Sequence, residues 1–362
     1  MINLRRLLLI FLLAVLLAGC GGSQEGQQSS QEETSAQGGG DATAQVVEAT
    51  EAWLATLDDA QREQATFAFD DELKTNWSNF PTPVVPRNGV PFGEMTEEQQ
   101  QAGLAILQAA LSEEGYRKTI GNMVSDQANQ GLEGQPDLFS ADLYYFAVFG
   151  TPSETEPWML QYGGHHYAIN LTVSGQDNVF TPSFIGVQPS EYTLDQVPNL
   201  PAFVPADVLG TGTIRPMAEE NDLAFELMNA LDPQQQEQAI LDYDVSGLVL
   251  GPDENVRVLE PEGIPASEMT PEQQALLLDV IREWAGIASD AAAEAKMSEI
   301  EANLGETYFA WEGPTTNGEP TYYRITGPTL HIEFNHEEDD ILHIHSVYRD
   351  PTDDYGEQSV AG

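Results

Sequence analysis

A single cysteine, Cys20, occurs among the 362 residues, so no disulfide can form within the chain. Lysine is almost as scarce. Only Lys74, Lys118 and Lys296 are present, and Lys and Arg together number 13 against 59 Asp and Glu. A formal net charge of −46 repels nucleic acid and anionic lipid headgroups, which argues against functions that track phosphates. This acidity suits a surface kept hydrated in a salty environment; an acidic patch for a cationic partner is the other reading. Several catalytic signatures are also missing. There is no Walker loop, no dinucleotide-binding fingerprint, no Gly-x-Ser-x-Gly elbow and no His-Glu-x-x-His.

The N-terminus is unlike the rest. Arg5 and Arg6 precede an apolar run from Leu7 to Leu17, and Leu17-Ala18-Gly19-Cys20 closes the segment. The run is well short of the ~20 residues that a membrane-spanning helix needs. Its layout is that of a signal peptide over 1–19. The Leu-Ala-Gly-Cys ending resembles the lipobox of bacterial lipoproteins, which implies cleavage before Cys20 and lipid attachment to its sulfur. Residues 20–44 are rich in Gly, Gln, Ser and Glu, cannot bury enough apolar surface to offset their ordering entropy, and are expected to form a flexible tether. The implied location is the cell envelope, with the chain lipid-anchored on the outer side of a membrane. Gly21, rather than Asp, after the cysteine points to the outer membrane or cell surface.

An internal repeat organises the remainder. A shift of 174 carries 57–100 onto 231–274 without a gap: Leu57-Asp58 meets Leu231-Asp232, and Glu94-Met95-Thr96 meets Glu268-Met269-Thr270. A shift of 163 then carries Tyr145-Phe146-Ala147 onto Tyr308-Phe309-Ala310, and Glu156-Pro157 onto Glu319-Pro320. The chain reads as a tandem duplication, 45–195 and 217–357, with a Pro-rich junction over 196–216. In each half, Thr96 or Thr270 opens a helix with Gln99 or Gln273 placed for a capping box. Leu104, Leu107 and Leu111 mark a helical stripe, mirrored by Leu278, Ile281 and Ala285. More helix is expected near 113–130 and 287–304. Short β-branched and aromatic runs follow at 143–150, 157–162, 165–174 and 180–187, and again at 307–312, 320–326, 329–335 and 341–348; their close spacing predicts antiparallel hairpins. The fold class is α+β, two helices-then-strands repeats related by a pseudo-twofold axis.

All six histidines, His165, His166, His331, His336, His343 and His345, lie in or beside predicted strands. Side chains two apart on a strand share a face, so His343 and His345 point together, as do His331 and Glu333. In the first half His166 and Asn170 fall on the matching face, while His165 should turn away from His166. His336, in an acidic loop, is expected to be solvated. Imidazoles with one carboxylate suit a divalent metal (Zn, Fe, Mn or Cu), and an open position on it would activate water or bind O2. A metal-free polar cleft and a purely structural hydrogen-bond network are the competing readings. Trp158, Tyr322, Tyr323, Arg324 and Arg349 are expected nearby. Arg349 either orients an anionic group of the substrate or pairs with a carboxylate at the Asp350-Pro351 turn.

The run His343-Ile344-His345-Ser346-Val347-Tyr348-Arg349-Asp350-Pro351, with Gly164-His165-His166, the segment from Tyr322 to Pro328 and Asp354-Tyr355-Gly356, resembles the domain of unknown function 3500 family over 50–357. The resemblance implies that the histidine and Arg-Asp-Pro segments belong to a shared site; it implies no particular activity. The expectation is a lipid-anchored extracytoplasmic metalloenzyme. Its metal ligands would be His343, His345 and His331. Glu333, Arg349 and His166 would be catalytic, and Trp158, Tyr322, Tyr323, Arg324 and Asn170 would contact a small-molecule or peptide substrate. Hydrolysis is the simplest reaction, and an oxygen-using site of two histidines and one carboxylate is its redox variant. A non-catalytic solute-binding lipoprotein and a structural surface protein without a pocket are the alternatives from other classes.

Overall fold

A computed structural model describes residues 28–135, 137–252 and 259–361. The expected signal segment 1–19 and Cys20 lie outside the described residues. The helices are α1 (Gln28–Thr56), α2 (Asp59–Ala65), α3 (Glu97–Ala110), α4 (Glu113–Glu133), α5 (Ala218–Ala230), α6 (Pro233–Ala239), α7 (Pro271–Ala285), α8 (Asp290–Ala302) and α9 (Glu357–Ala361). The strands of the first half are β1 (Thr66–Phe67), β2 (Val90–Pro91), β3 (Tyr145–Phe149), β4 (Trp158–Gly163), β5 (Tyr167–Ser174), β6 (Asp177–Val179) and β7 (Ser183–Val187). Those of the second are β8 (Ile264–Pro265), β9 (Tyr308–Glu312), β10 (Tyr322–Gly327), β11 (Leu330–His336) and β12 (Ile344–Arg349).

The twelve strands of the described residues join one sheet in the order β1-β3-β4-β5-β7-β12-β11-β10-β9-β8, with β2 on β3 and β6 on β5. Pairing is antiparallel except at β1–β3. The fold is therefore α+β, with a large and mostly antiparallel sheet. The two expected sheets are joined edge to edge at β7–β12, where Ile344, Ser346 and Tyr348 stand opposite Val187, Ile185 and Ser183.

The strands are buried on both faces. On one face Phe146, Leu160, Tyr162, Tyr167, Ile185, Trp311, Tyr323, Ile332 and Phe334 pack against the helices in one core that spans both halves. On the other, Ala147, Phe149, Met159, Ala168, Phe184 and Val347 are covered by Trp77, Leu250 and Tyr355, which come from loops and a terminal turn. Alternation along β12 thus sends Ile344, Ser346 and Tyr348 to the helical layer and His345, Val347 and Arg349 to the loop layer.

The expected capping boxes form. Thr96 Oγ1 accepts from Gln99 N and Gln99 Oε1 from Thr96 N, with the same pair of bonds at Thr270 and Gln273. Each glutamine also donates from Nε2 to the preceding helix end, Gln99 to Thr56 O at 2.9 Å and Gln273 to Ala230 O at 2.8 Å. Two expectations need adjusting. The buried apolar stripe of α7 is Leu277, Val280, Ile281, Trp284 and Ala285; Ile281 and Ala285 are where they were expected, and Leu277 rather than the partly buried Leu278 fills the first turn of the stripe. The helix α1 also reaches into the segment expected as tether; Thr43, Val46, Val47 and Trp53 are buried, so tertiary packing begins before residue 45 and holds that stretch helical. Among the described residues no helix is long and apolar enough to cross a membrane.

Two glycines at matching places set the entry to the sheet. A Cβ on Gly89 (φ +92°) would lie 1.8 Å from the Phe146 carbonyl oxygen, and one on Gly263 (φ +91°) 2.1 Å from that of Phe309. Alanine at either position is expected to cost about 1–3 kcal/mol in backbone strain before the clash is relieved. Thermal unfolding of Gly89→Ala and Gly263→Ala checks this, and an unchanged Tm in both would refute it.

Candidate metal centre

The centre forms at the strand ends beside the β7–β12 seam. The backbone turns back at Gly164, whose N–H donates to Tyr167 O at 2.8 Å, so His165 and His166 occupy a turn before β5 rather than a strand. Strand alternation therefore does not apply to them. Their rings stack with centroids 3.8 Å apart, a correction to the expectation that they face opposite ways. The His166 carbonyl accepts from Gly186 N at 2.7 Å, which fastens the turn to β7. His345 stands opposite Gly186 across the seam and opposite Asn335 on its other side, on β11. A Cβ on Gly186 would approach His345 Cδ2 to 3.2 Å and Ile344 O to 2.7 Å, so the absence of a side chain there makes room for the imidazole.

Three Nε2 atoms converge. His166 Nε2 lies 3.2 Å from His343 Nε2, which lies 3.0 Å from His345 Nε2. The ligand atoms of all three fall within 4.8 Å of one another, so the group can hold a metal ion. Each outer ring is oriented by a carboxylate. Asp126, from α4, has Oδ1 2.6 Å from His166 Nδ1, while its Oδ2 accepts from Tyr144 OH at 2.7 Å and from His166 N at 3.4 Å. Glu337 Oε2 lies 3.3 Å from His345 Nδ1 and accepts from Asn335 Nδ2 at 3.0 Å.

Burial pushes the Asp126 carboxyl up, and the nearby His165, Tyr144 and the His166 backbone N–H oppose it. The hydrogen bond from His345 holds Glu337 below the usual carboxylate range. His166 is driven well below its ordinary value by burial and then by His345 and His343. His343 is brought down to about 4 by burial and by His345. Burial, with His166 next, lowers His165 to about 2.

These contacts fix the tautomers. A carboxylate that already receives two donors on Oδ2 takes a third on Oδ1, so His166 carries its proton on Nδ1. Glu337 does the same for His345. Both rings therefore aim an unprotonated Nε2 at His343 Nε2. One proton there satisfies one neighbour and leaves the other lone pair facing nitrogen. A cation resolves this. Tetrahedral ligand nitrogens around a metal at about 2.0–2.1 Å sit roughly 3.3 Å apart, close to the spacings found. A carboxylate on the far nitrogen of a ligating imidazole is the usual outer support of such sites.

Of the residues expected at the site, His166, His343 and His345 are brought together, and the others are placed elsewhere. His331 is buried on β11 opposite Thr326 and Arg349, on the same face as His345. It lies four residues from Asn335, the partner of His345, which is about 13 Å along a strand. Glu333 holds a loop: it accepts from Tyr322 OH at 2.6 Å and from the N–H groups of Val249 and Leu250 at 2.9 and 2.7 Å. The carboxylate of the expected two-histidine redox variant is thus committed away from the histidines. Arg349 Nε pairs with Asp354 at 2.8 Å in the interior, close to the structural alternative entertained for it. Arg324 pairs with Glu262 and Tyr243. Trp158 Nε1 donates to Ser153 O, and Tyr323 OH donates to Glu220 O on the helical side of the sheet. Asn170 donates to Pro182 O and accepts from Gln161. His336 is buried, not solvated, with Nδ1 accepting from Thr321 N at 3.0 Å.

Asp126, Tyr144, Asn335 and Glu337 were not anticipated. The trace of Asp126 in the sequence is indirect: α4 buries Lys118, Thr119, Asn122, Ser125, Asp126 and Asn129, and a helix with that many polar residues inside must pair them.

Fold and site together define an α+β protein in which the large sheet of the described residues carries a mostly buried three-histidine group that could hold a metal ion. The chain belongs to the family described as "Protein of unknown function (DUF3500)", whose model matches residues 39–357. No curated protein and no solved structure matches it.

Proposed function

We propose that the protein is a lipid-anchored, extracytoplasmic, metal-dependent enzyme, with hydrolysis as the favoured reaction class. The observation that carries the reading is the convergence of His166, His343 and His345 through Nε2, with Asp126 and Glu337 fixing two of the tautomers. Three neutral imidazoles suit Zn, with Cu or Fe as the redox-active variants. A divalent cation held there supplies Lewis acidity and leaves coordination positions for water or substrate. Glu337, ionised and bordering the cavity beside His345, is the carboxylate placed to move a proton. The solute-binding alternative depended on a cleft lined by Trp158, Tyr322, Tyr323 and Arg324, and those side chains are engaged elsewhere.

Two further parts of this proposal rest on sequence. Acylation at Cys20 follows from the Leu-Ala-Gly-Cys ending. Tandem duplication is supported by the register of the two halves, the repeated capping networks and the mirrored strand order. His166 then comes from one copy, and His343 and His345 from the other.

The test is metal content by mass spectrometry on protein purified without chelators. About one equivalent of a transition metal is expected, as for a mononuclear site. A folded protein that contains none and takes up none on reconstitution with Zn, Cu, Mn or Fe would refute the reading.

A further inference from the structure

The turn that carries His165 and His166 is held at its start by one side chain. Arg87, in the segment before β2, donates to Gly164 O from Nε at 3.2 Å and from Nη2 at 2.9 Å. Nη2 also lies 2.6 Å from Ser78 O and from Phe80 O, and Nη1 donates to Val85 O. One guanidinium thus gathers four carbonyls, three from its own segment and one from the turn. Gly164 meets an aromatic ring as well. A Cβ there would lie 2.6 Å from Tyr144 Cε2, and Tyr144 OH donates to Asp126. The residue two places before His166 is therefore tied to Arg87 and packed on the ring that supports Asp126.

Strand pairing fixes His345, but His166 lies in a turn, and its aim depends on how that turn is held. Its own carbonyl is tied to Gly186 N–H on β7, and Arg87 supplies the tie at the other end. Burial brings the guanidinium down to about 10, with Tyr145, Asp126 and Tyr144 opposing the fall, so it remains a cation at neutral pH. Its charge also opposes the upward push of burial on Asp126. The register of the two halves gives an independent sign. The shift of 174 places Pro261 where the first half has Arg87, and the shift of 163 places Thr329 where it has His166. The half without a turn histidine thus has a residue with no donor at the matching position.

We propose that Arg87 is the positioning residue of the histidine centre: through Gly164 it holds the turn so that His166 Nε2 meets His343 and His345. Its consequence for metal rests on the metal-enzyme reading, but the hold on the turn is measured without metal.

Three variants of the full chain test it. Arg87→Met keeps the length without the donors, Arg87→Lys keeps the charge without the fork, and Asn88→Ala removes a neighbouring anchor. The bonds of Asn88 go to Leu73 O, Gln161 Oε1 and Asn76 rather than to the turn. Zinc affinity is measured by chelator competition, and amide exchange of residues 163–168 by mass spectrometry on the metal-free chain. Arg87→Met is expected to lose about 10–100-fold in zinc affinity, as when the outer support of a metal ligand is removed, and Arg87→Lys less. Exchange at the turn should rise at least about tenfold in Arg87→Met. Asn88→Ala should lower Tm yet leave zinc affinity and turn exchange at the wild-type level. Unchanged zinc affinity in Arg87→Met, an equal loss in Asn88→Ala, or wild-type exchange at the turn in Arg87→Met would each overturn the proposal. Should Arg87→Met fail to fold, Arg87→Lys carries the same comparison. Failure of the metal reading looks different: no zinc uptake by the wild type, with the faster exchange still present in Arg87→Met.

Discussion

Replacing His343 and His345 together with alanine is expected to reduce bound metal from about one equivalent to near zero, because two of the three nitrogens of a mononuclear site are removed. The loss should not come from unfolding. His343 lies before β12 and is partly exposed, and His345 faces the loop layer rather than the helical core. Circular dichroism on the same samples checks that. Asp126→Asn is the graded companion. It keeps the shape but removes the charge that orients His166 Nδ1–H, and outer-sphere changes of this kind cost about 10–100-fold in metal affinity. A competition titration against a chelator of known affinity measures the loss. Unchanged affinity in Asp126→Asn would mean that the tautomer of His166 is not what makes the site.

Arg349→Ala is expected to be strongly destabilising, as a change at a buried structural pair and not at a site residue. Arg349 and Asp354 are both buried, and Arg349 also reaches Leu250 O at 3.4 Å. Breaking a buried pair by removing one partner leaves an uncompensated charge and costs about 3–5 kcal/mol. Each kcal/mol moves Tm by roughly 2–4 °C in domains of 150–250 residues, so a fall on the order of 10 °C should be visible by calorimetry. The double change Arg349→Met/Asp354→Asn should recover much of this, because no charge is then stranded. Metal content should stay at the wild-type level, since Arg349 lies four residues along β12 from His345. A loss of metal with no loss of Tm would return Arg349 to the site.

Much of the fold was legible because its signals are local. Thr96 and Gln99 form the capping box their spacing required, and the strand runs found by composition lie close to β3–β5, β7 and β9–β12. The pair His343 and His345 was legible for the same reason, since two residues apart near a strand start means one side. What alternation cannot supply is position along the strand, and that is why His331 and Glu333 share the face of His345 without reaching it. Nor does it apply to a turn, so it misplaced His165 relative to His166. Asp126 and Glu337 were hidden for another reason: one sits on a helix 40 residues from its histidine and the other in an acidic run that reads as solvated surface. The aromatic and arginine residues near the histidines in sequence are buried polar and apolar anchors, and sequence proximity does not separate an anchor from a ligand contact.

The seam between β7 and β12 has an implication for how the protein is assembled. His166 belongs to the stretch of chain before the seam, and His343 and His345 to the stretch after it, so neither stretch alone owns a complete set of nitrogens. An ion held there would act as a rivet across the joint: its uptake would report that the two stretches have docked in register, and its removal would take a clamp from the middle of the sheet rather than from its rim.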